Sequence, residues 1–343
     1  MADSGVGKMN QGTALLAVLW LAAGLSAIAL TIANTVRGET ERSSTEADGL
    51  KAYYLAAGAI DRMLLYLEKP ASFLNPDKTP LIKDYTRVLG FDFPTGVAMG
   101  EIIPETSKLD VNTANPKDLL NLLLALGGDP GQAEQTLAGI LDWRGVSSGG
   151  SLTGFDQFYL SLTPSFQARH ASLQEIEELL LVRGVTPDLF YGSYTRDAQG
   201  QLVPHAGLRD CLSVYGSAGG GLDVNTVEPA VMQAVGIPAD VAAAIVTLRQ
   251  AAPIRDMGQL APFRNSGPGM NRLGITRVAI GSPQAITLRA TAQLKLSNGQ
   301  LSDVRRTVSE LVMFLDPDKS QVLVAGQPPY QIMRWYQNAV ALQ

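Results

Sequence analysis

The segment Thr13–Val36, TALLAVLWLAAGLSAIALTIANTV, runs for 24 residues without a charged side chain. About 20 apolar residues in α-helix cross the hydrocarbon core of a bilayer. A soluble core helix of that length would carry a polar stripe, and none occurs before Arg37. The segment is therefore expected to span a membrane, with Asn34 and the neighbouring threonines at its exit. A cleaved secretory signal has a shorter apolar region, about 7–15 residues, ending in a small-x-small site. Here Arg37, Glu39, Glu41 and Arg42 follow the run directly.

The residues before it, MADSGVGKMNQG, are polar, carry Lys8 and end in Gly12. A prepilin peptidase cuts after such a glycine on the cytoplasmic side and leaves the apolar helix on the mature chain. The expected processing site is thus Gly12–Thr13, with residues 1–12 as leader and 13–36 as the span. An uncleaved signal anchor is the simpler alternative. Lys8 favours a cytoplasmic leader.

Past the span, Leu50, Tyr53, Ala57, Ile60, Leu64 and Leu67 recur at spacings of three and four, which predicts an amphipathic helix ending near Pro70. Residues 96–112 read as strands with a turn near Pro104–Ser107. Far downstream, Ile286, Leu288, Ala290, Ala292, Leu294 and Leu296 alternate toward Asn298-Gly299, and Val304, Val308, Val312 and Phe314 line the return, a hairpin. Residues 113–280, between these strand regions, have helical character. The fold expected is α+β: a long N-terminal helix on a small antiparallel sheet, with a large helical insertion.

One phrase occurs twice, LDVNTANP at 109–116 and LDVNTVEP at 222–229. In the first copy Asn115 can cap a helix with Pro116 at its first position and Asp118 in its first turn. KDLLNLLLAL and AEQTLAGILDWR follow around GGDPG; PAVMQAV and ADVAAAIVTLRQ follow the second copy around GIP. This predicts two helix-hairpin-helix-like units, 113–216 and 222–280, joined by GSAGGG at 216–221. Asp110, Asn112 and Thr113, and likewise Asp223, Asn225 and Thr226, are expected to tie strand end to helix start by side-chain caps.

Such hairpins often bind DNA through backbone N–H groups in the turn, but Pro238 removes a donor there. Residues 109–144 hold Lys117 and Arg144 against five acids, and the whole chain carries a formal charge of −5 with a pI near 5.2. Nucleic acid is the wrong partner for that balance. Nothing resembles a nucleophile elbow or phosphate loop, and His170 and His205 stand far apart without acids at ligand spacing, so neither an enzyme nor a required cofactor is expected. The single cysteine, Cys211, reads as a small buried residue.

The leader, Gly12 and the uncharged helix resemble the type IV pilin-like proteins. Most of these carry a glutamate five residues after the cut; here that position is Ala17. Its absence is a feature of the minor pseudopilin K family of type II secretion systems (general secretion pathway protein K). The resemblance continues through ILDWR (140–144), ASLQEIEELLLVRGVTPDLF (171–190) and LSVYG (212–216), in that family's order. It implies a split pilin-like domain, residues 37–112 and 281–343, interrupted by the two units.

The family also implies a non-enzymatic subunit at the pseudopilus tip, partnered by I- and J-type minor pseudopilins and processed by prepilin peptidase. Secreted substrates are possible further partners. The place would be the bacterial inner membrane, single-pass, with a large periplasmic domain. Leu15, Leu16, Ala17, Val18 and Leu19 would pack against partner helices. Calcium is known in the family, with Asp142 and Asp156 as the candidate ligands, although GVSSGGS stands at 145–151 where the family has acids. A membrane-anchored DNA receptor and a type IV pilus minor pilin are the alternative functions.

Overall fold

The computed structural model describes residues 10–82, 85–145, 152–196, 199–218, 220–264, 275–281, 284–315 and 328–337. Helix α1, Asn10–Glu68, runs unbroken from the apolar segment into the body of the protein. Among the described residues it is the one helix long and apolar enough to cross a membrane. Its hydroxyls at Thr31, Thr35, Thr40 and Thr45 each donate to the carbonyl four residues back, so they leave no donor unpaired. Just beyond the span, Arg37–Glu41 and Arg42–Glu46 form exposed ion pairs at helical spacing.

The upper half of α1 lies on a five-stranded antiparallel sheet, ordered β1 (Val88–Phe93), β2 (Gly96–Pro104), β9 (Ala285–Lys295), β10 (Leu301–Phe314), β11 (Tyr330–Gln337). The β9–β10 hairpin turns at Gly299, whose φ of 81° suits glycine. The core joins Ala56, Ala59, Ile60 and Met63 of α1 to Ala98, Leu288, Ala290, Val308 and Val312. Small residues on both surfaces let the helix sit close. A Cβ on Gly100 would come within 2.6 Å of the Met63 sulfur.

That core corrects the expected face of α1. Ile60 and Leu64 are buried, but Tyr53, Ala57 and Leu67 are only half-buried and Leu50 is 56% exposed. Alanines 52, 56 and 59 form the buried face instead. The large apolar side chains lie to one side of it.

As α1 passes from Leu55 to Met63 it tracks β2 from Gly96 to Gly100. The chain leaves the sheet at Pro104 and re-enters at Ala285, and Pro104 pairs with Ile286. The insertion is therefore mounted on the end of the sheet farthest from the apolar segment of α1.

Within the insertion the duplicated phrase forms two matched units. In the first, β3 (Leu109–Asp110) leads to α2 (Pro116–Ala125) and α3 (Pro130–Arg144), then α4 (Gly154–Leu160) and α5 (Pro187–Tyr191). A hairpin of β4 (Ser193–Arg196) and β5 (Leu202–His205) and a short α6 (Leu208–Cys211) precede β6 (Leu212–Ser213), which pairs parallel to β3. The second unit is shorter: β7 (Leu222–Asp223), α7 (Pro229–Ala234), α8 (Ala239–Ala251) and β8 (Val278–Ala279), again parallel. Both units share one apolar core, which also buries Cys211, and Asn121 of α2 donates to the Ala234 carbonyl of α7.

The joining stretch 216–221 is tied down where it begins. Asp110 N donates to Ser217 O and Ser217 N to Lys108 O, each at 2.8 Å. Gly216 lies so close to Leu109 and Asp110 that a side chain there would strike backbone.

Candidate functional site

The repeated phrase builds the same hydrogen-bonded frame twice. Asp110 accepts from Asn112 N at 2.8 Å and from the Thr113 hydroxyl at 2.7 Å. Asp223 accepts from Asn225 N at 3.3 Å and from the Thr226 hydroxyl at 2.7 Å. Asn112 closes a two-bond ring with the backbone of Leu173, and Asn225 closes the same ring with Ile254. An arginine from the second helix of each unit completes the frame: Arg144 donates to Val111 O and Ala114 O, Arg249 to Val224 O and Val227 O.

The duplication therefore reaches further than the phrase. Leu173 to Leu179, LQEIEEL, matches Ile254 to Leu260, IRDMGQL. In each, a side chain at the sixth position (Glu178 or Gln259) accepts from the two backbone N–H groups of the second and third. Only the order of residue sizes and polarities signals this match in the sequence.

Polar contacts lock the insertion to the sheet. Ser107 shares a hydrogen bond with Thr226, and Arg87 donates to the Thr226 carbonyl and pairs with Glu228 at 3.4 Å. On the other side Glu175 accepts from Arg334 at 2.6 Å and Tyr336 at 2.7 Å, both on β11. Buried Glu105 accepts from Thr287 at 2.6 Å; the Lys108 charge and these hydrogen bonds outweigh burial and hold its carboxyl below the usual range.

Asp142, Asp156 and His170 converge, with ligand-type atoms within 4.8 Å of one another. The expectation that His170 lacks an acidic partner is overturned: its Nε2 lies 2.9 Å from Asp156 Oδ1 and its Nδ1 3.1 Å from the Asp142 carbonyl. Chain folding through α4 supplies the contact, which sequence spacing does not. The other Asp156 oxygen accepts from Thr153 N at the α4 N-terminus. That backbone bond, with help from His170 and against burial, lowers the Asp156 carboxyl. Burial works against the imidazolium, yet the Asp156 bond and the Asp142 carbonyl outweigh it and raise His170.

Calcium asks for six to eight oxygen ligands. The cluster offers two carboxylates, one already engaged, and an imidazole whose two nitrogens both face acceptors. Within the cluster, Asp142 Oδ2 is buried without a hydrogen-bond partner among the described residues. This donor set does not fit calcium; it fits a protonated imidazole. Residues 146–151, where the family places further acids, lie outside the described residues.

Gly12 and Thr13 lie within α1, and Leu15, Leu16, Val18 and Leu19 are exposed along it, with Ala17 between them. Residues 1–9 of the expected leader lie outside the described residues. A feature no motif signalled is Glu310 on β10. It is 1% exposed, its Oε1 has no hydrogen-bond partner among the described residues, and burial together with the Asp61 charge raises its pKa to about 7.

Residues 103–191 match the family model of type II secretion system (T2SS), protein K. No curated protein matches the chain in sequence. Among solved structures the chain is similar to one from the GspK-GspI-GspJ complex of the enterotoxigenic Escherichia coli Type 2 Secretion System. The TM-score is 0.57 at 14% identity, over 87% of this chain and 100% of that one. Together these findings support the resemblance read from the sequence, a type II secretion system protein K and hence a minor pseudopilin.

Proposed function

We propose that this type II secretion system protein K caps the tip of a pseudopilus and initiates its assembly with I- and J-type minor pseudopilins. The protein acts by shape rather than by catalysis. Its first helix anchors it in the inner membrane, and the bulky insertion stands in the periplasm on the end of the sheet farthest from that anchor. The observation that carries the reading is this mounting at Pro104 and Ala285. A body placed there leaves α1 free below for neighbouring helices and obstructs any subunit that would stack above. Ala17 fits the same position, because a subunit with nothing ahead of it needs no carboxylate in the membrane to pair with a neighbour's amine. Prepilin peptidase would release the mature chain at Thr13, and the assembled tip would serve protein export across the outer membrane.

Co-expression of the full chain with I- and J-type partners tests this. A ternary complex whose K-type N-terminus begins at Thr13 is expected. A chain that retains Met1 and leaves the partners behind would overturn the reading. Duplex-DNA retention on a filter at low salt would favour the membrane-anchored receptor instead.

A further inference from the structure

The His170 ring is held as the ring of a metal-binding histidine is held. Its Nδ1 lies 3.1 Å from the Asp142 carbonyl, so that nitrogen carries a proton and donates, and Nε2 is turned toward Asp156 Oδ1 at 2.9 Å. In most metal-ligating histidines a carbonyl or carboxylate on the far nitrogen fixes the tautomer and the ring in this way. Nε2 is then a lone pair facing a carboxylate, acceptor against acceptor, unless a proton or a cation lies between them. Asp156 is kept in place by its other oxygen, which accepts from Thr153 N in the capping box of α4.

A proton on Nε2 satisfies Asp156 and leaves Asp142 Oδ2 buried without a hydrogen-bond partner among the described residues. It also sets one positive charge against two carboxylates, whereas a divalent ion beside a neutral imidazole balances both. Ligand-type atoms of the three residues lie within 4.8 Å of one another. Neighbouring ligands of a tetrahedral zinc are about 3.3 Å apart, from bond lengths of about 2.0–2.2 Å. Asp142 stands in the last turn of α3 and is half-buried, so a turn of its carboxylate closes that gap. The His170 side chain is 17% exposed, which gives an ion a way in. Imidazole with carboxylate suits zinc and its transition-metal neighbours, while calcium and magnesium ask for oxygen alone.

The duplicated frame does without these groups. Thr247 stands two residues before Arg249, where Asp142 stands two before Arg144, and its hydroxyl donates to Ala243 O within its own helix. All three candidate ligands therefore belong to what the first unit has added to the shared plan.

We infer that Asp142, Asp156 and His170 form a binding site for a divalent transition-metal ion, zinc foremost, rather than for calcium. The ion takes His170 Nε2 and one oxygen from each aspartate, and water completes the tetrahedron. It joins the end of α3 to the start of α4 and to the segment that enters the Asn112–Leu173 ring three residues after His170. The site is independent of the tip reading.

The test uses the full chain in detergent, purified without a polyhistidine tag, stripped with EDTA and then freed of chelator. With zinc chloride, elemental analysis after gel filtration should find one zinc per chain. With cobalt chloride, the visible d–d bands of a tetrahedral site should appear. Loss of even an outer-shell partner weakens metal binding about 10–100-fold, so His170→Asn and, separately, Asp142→Asn should each weaken zinc binding by at least about tenfold. His205→Asn, at the chain's other histidine, should change nothing. A large excess of calcium should leave the zinc in place. A wild-type chain that retains no zinc overturns the inference whatever the variants do. Zinc that survives His170→Asn, or that yields to calcium, overturns it equally.

Discussion

The two units of the insertion share one frame and differ in what surrounds it. In the second, Asp223, Asn225 and Thr226 are all buried, and the sheet closes over them through Arg87 and Ser107. In the first, Asn112 is half-buried and Thr113 exposed, and the unit carries α4, His170 and the β4–β5 hairpin as additions. The same phrase thus serves as a joint in one place and as a scaffold in the other. Its shared chemistry concerns the geometry of a strand handing over to a helix, and its differences track which copy of the phrase itself meets Arg87 and Ser107.

The arginine clasps give the strongest contrast. Arg249→Met strips charge-assisted donors from two carbonyls inside a fully buried turn and should cost about 3 kcal/mol. Arg144→Met does the same to Val111 and Ala114 beside an exposed threonine, where water can partly replace the donor, and about 2 kcal/mol is expected. Paired urea titrations of the two variants read the difference directly. Equal losses would mean that burial by the sheet adds nothing.

Asn225→Ala and Asn112→Ala come next. Each removes a ring of two hydrogen bonds to one backbone residue, but Asn225 and its partner Ile254 are buried while Asn112 retains solvent. Losses of about 2 and about 1 kcal/mol are expected from the same titrations.

How far such a contrast is legible from sequence depends on which residues carry it. The membrane span, the Asn298-Gly299 hairpin, the Asn115 cap and the duplicated phrase are local patterns, and the chain announces them. The buried face of α1 is misread because pattern weighs large side chains, whereas close packing on the sheet selects Ala52, Ala56 and Ala59. Strands β1 and β11 lie at the sheet edges and carry irregular alternation, so period-two counting passes over them. His170 meets Asp156 only after α4 turns the chain back. Glu310 shares the face of Val308 and Val312, but its burial shows only once its strand is placed under α1.

The pH response should separate the units further. His170 has a raised pKa in the fold, so its contribution is fully present below the unfolded value of 6.5 and is lost as pH rises through the folded value. Asp156 is lowered, so its share is present above 3.8 and is lost as pH falls. The first unit is therefore steadiest between the two. Asp223 is raised, by burial, so it weakens the second unit as pH climbs out of the acid range. In thermal melts across pH, His170→Gln should lower stability by about 1 kcal/mol at mildly acidic pH and progressively less above neutrality. The same loss at every pH would mean that the imidazole acts by packing alone.

The smallest effects isolate the phrase itself. The Thr113 and Thr226 hydroxyls each donate to the aspartate three residues earlier at 2.7 Å, so Thr→Val removes one chemically identical bond at two sites. At Thr113 the aspartate oxygen can turn to water, and roughly 0.5 kcal/mol is expected. At Thr226 the hydroxyl also meets Ser107 from the strand side of the junction, and its loss strands two buried groups, about 1–2 kcal/mol. A Ser107→Ala background decides the matter. If the Thr226→Val penalty shrinks there while the Thr113→Val penalty does not, the second copy is coupled to the sheet through that hydroxyl. If both penalties stand unchanged, the two copies of the phrase do the same local work, and the sheet takes its hold on the insertion from Arg87 and Glu175 instead.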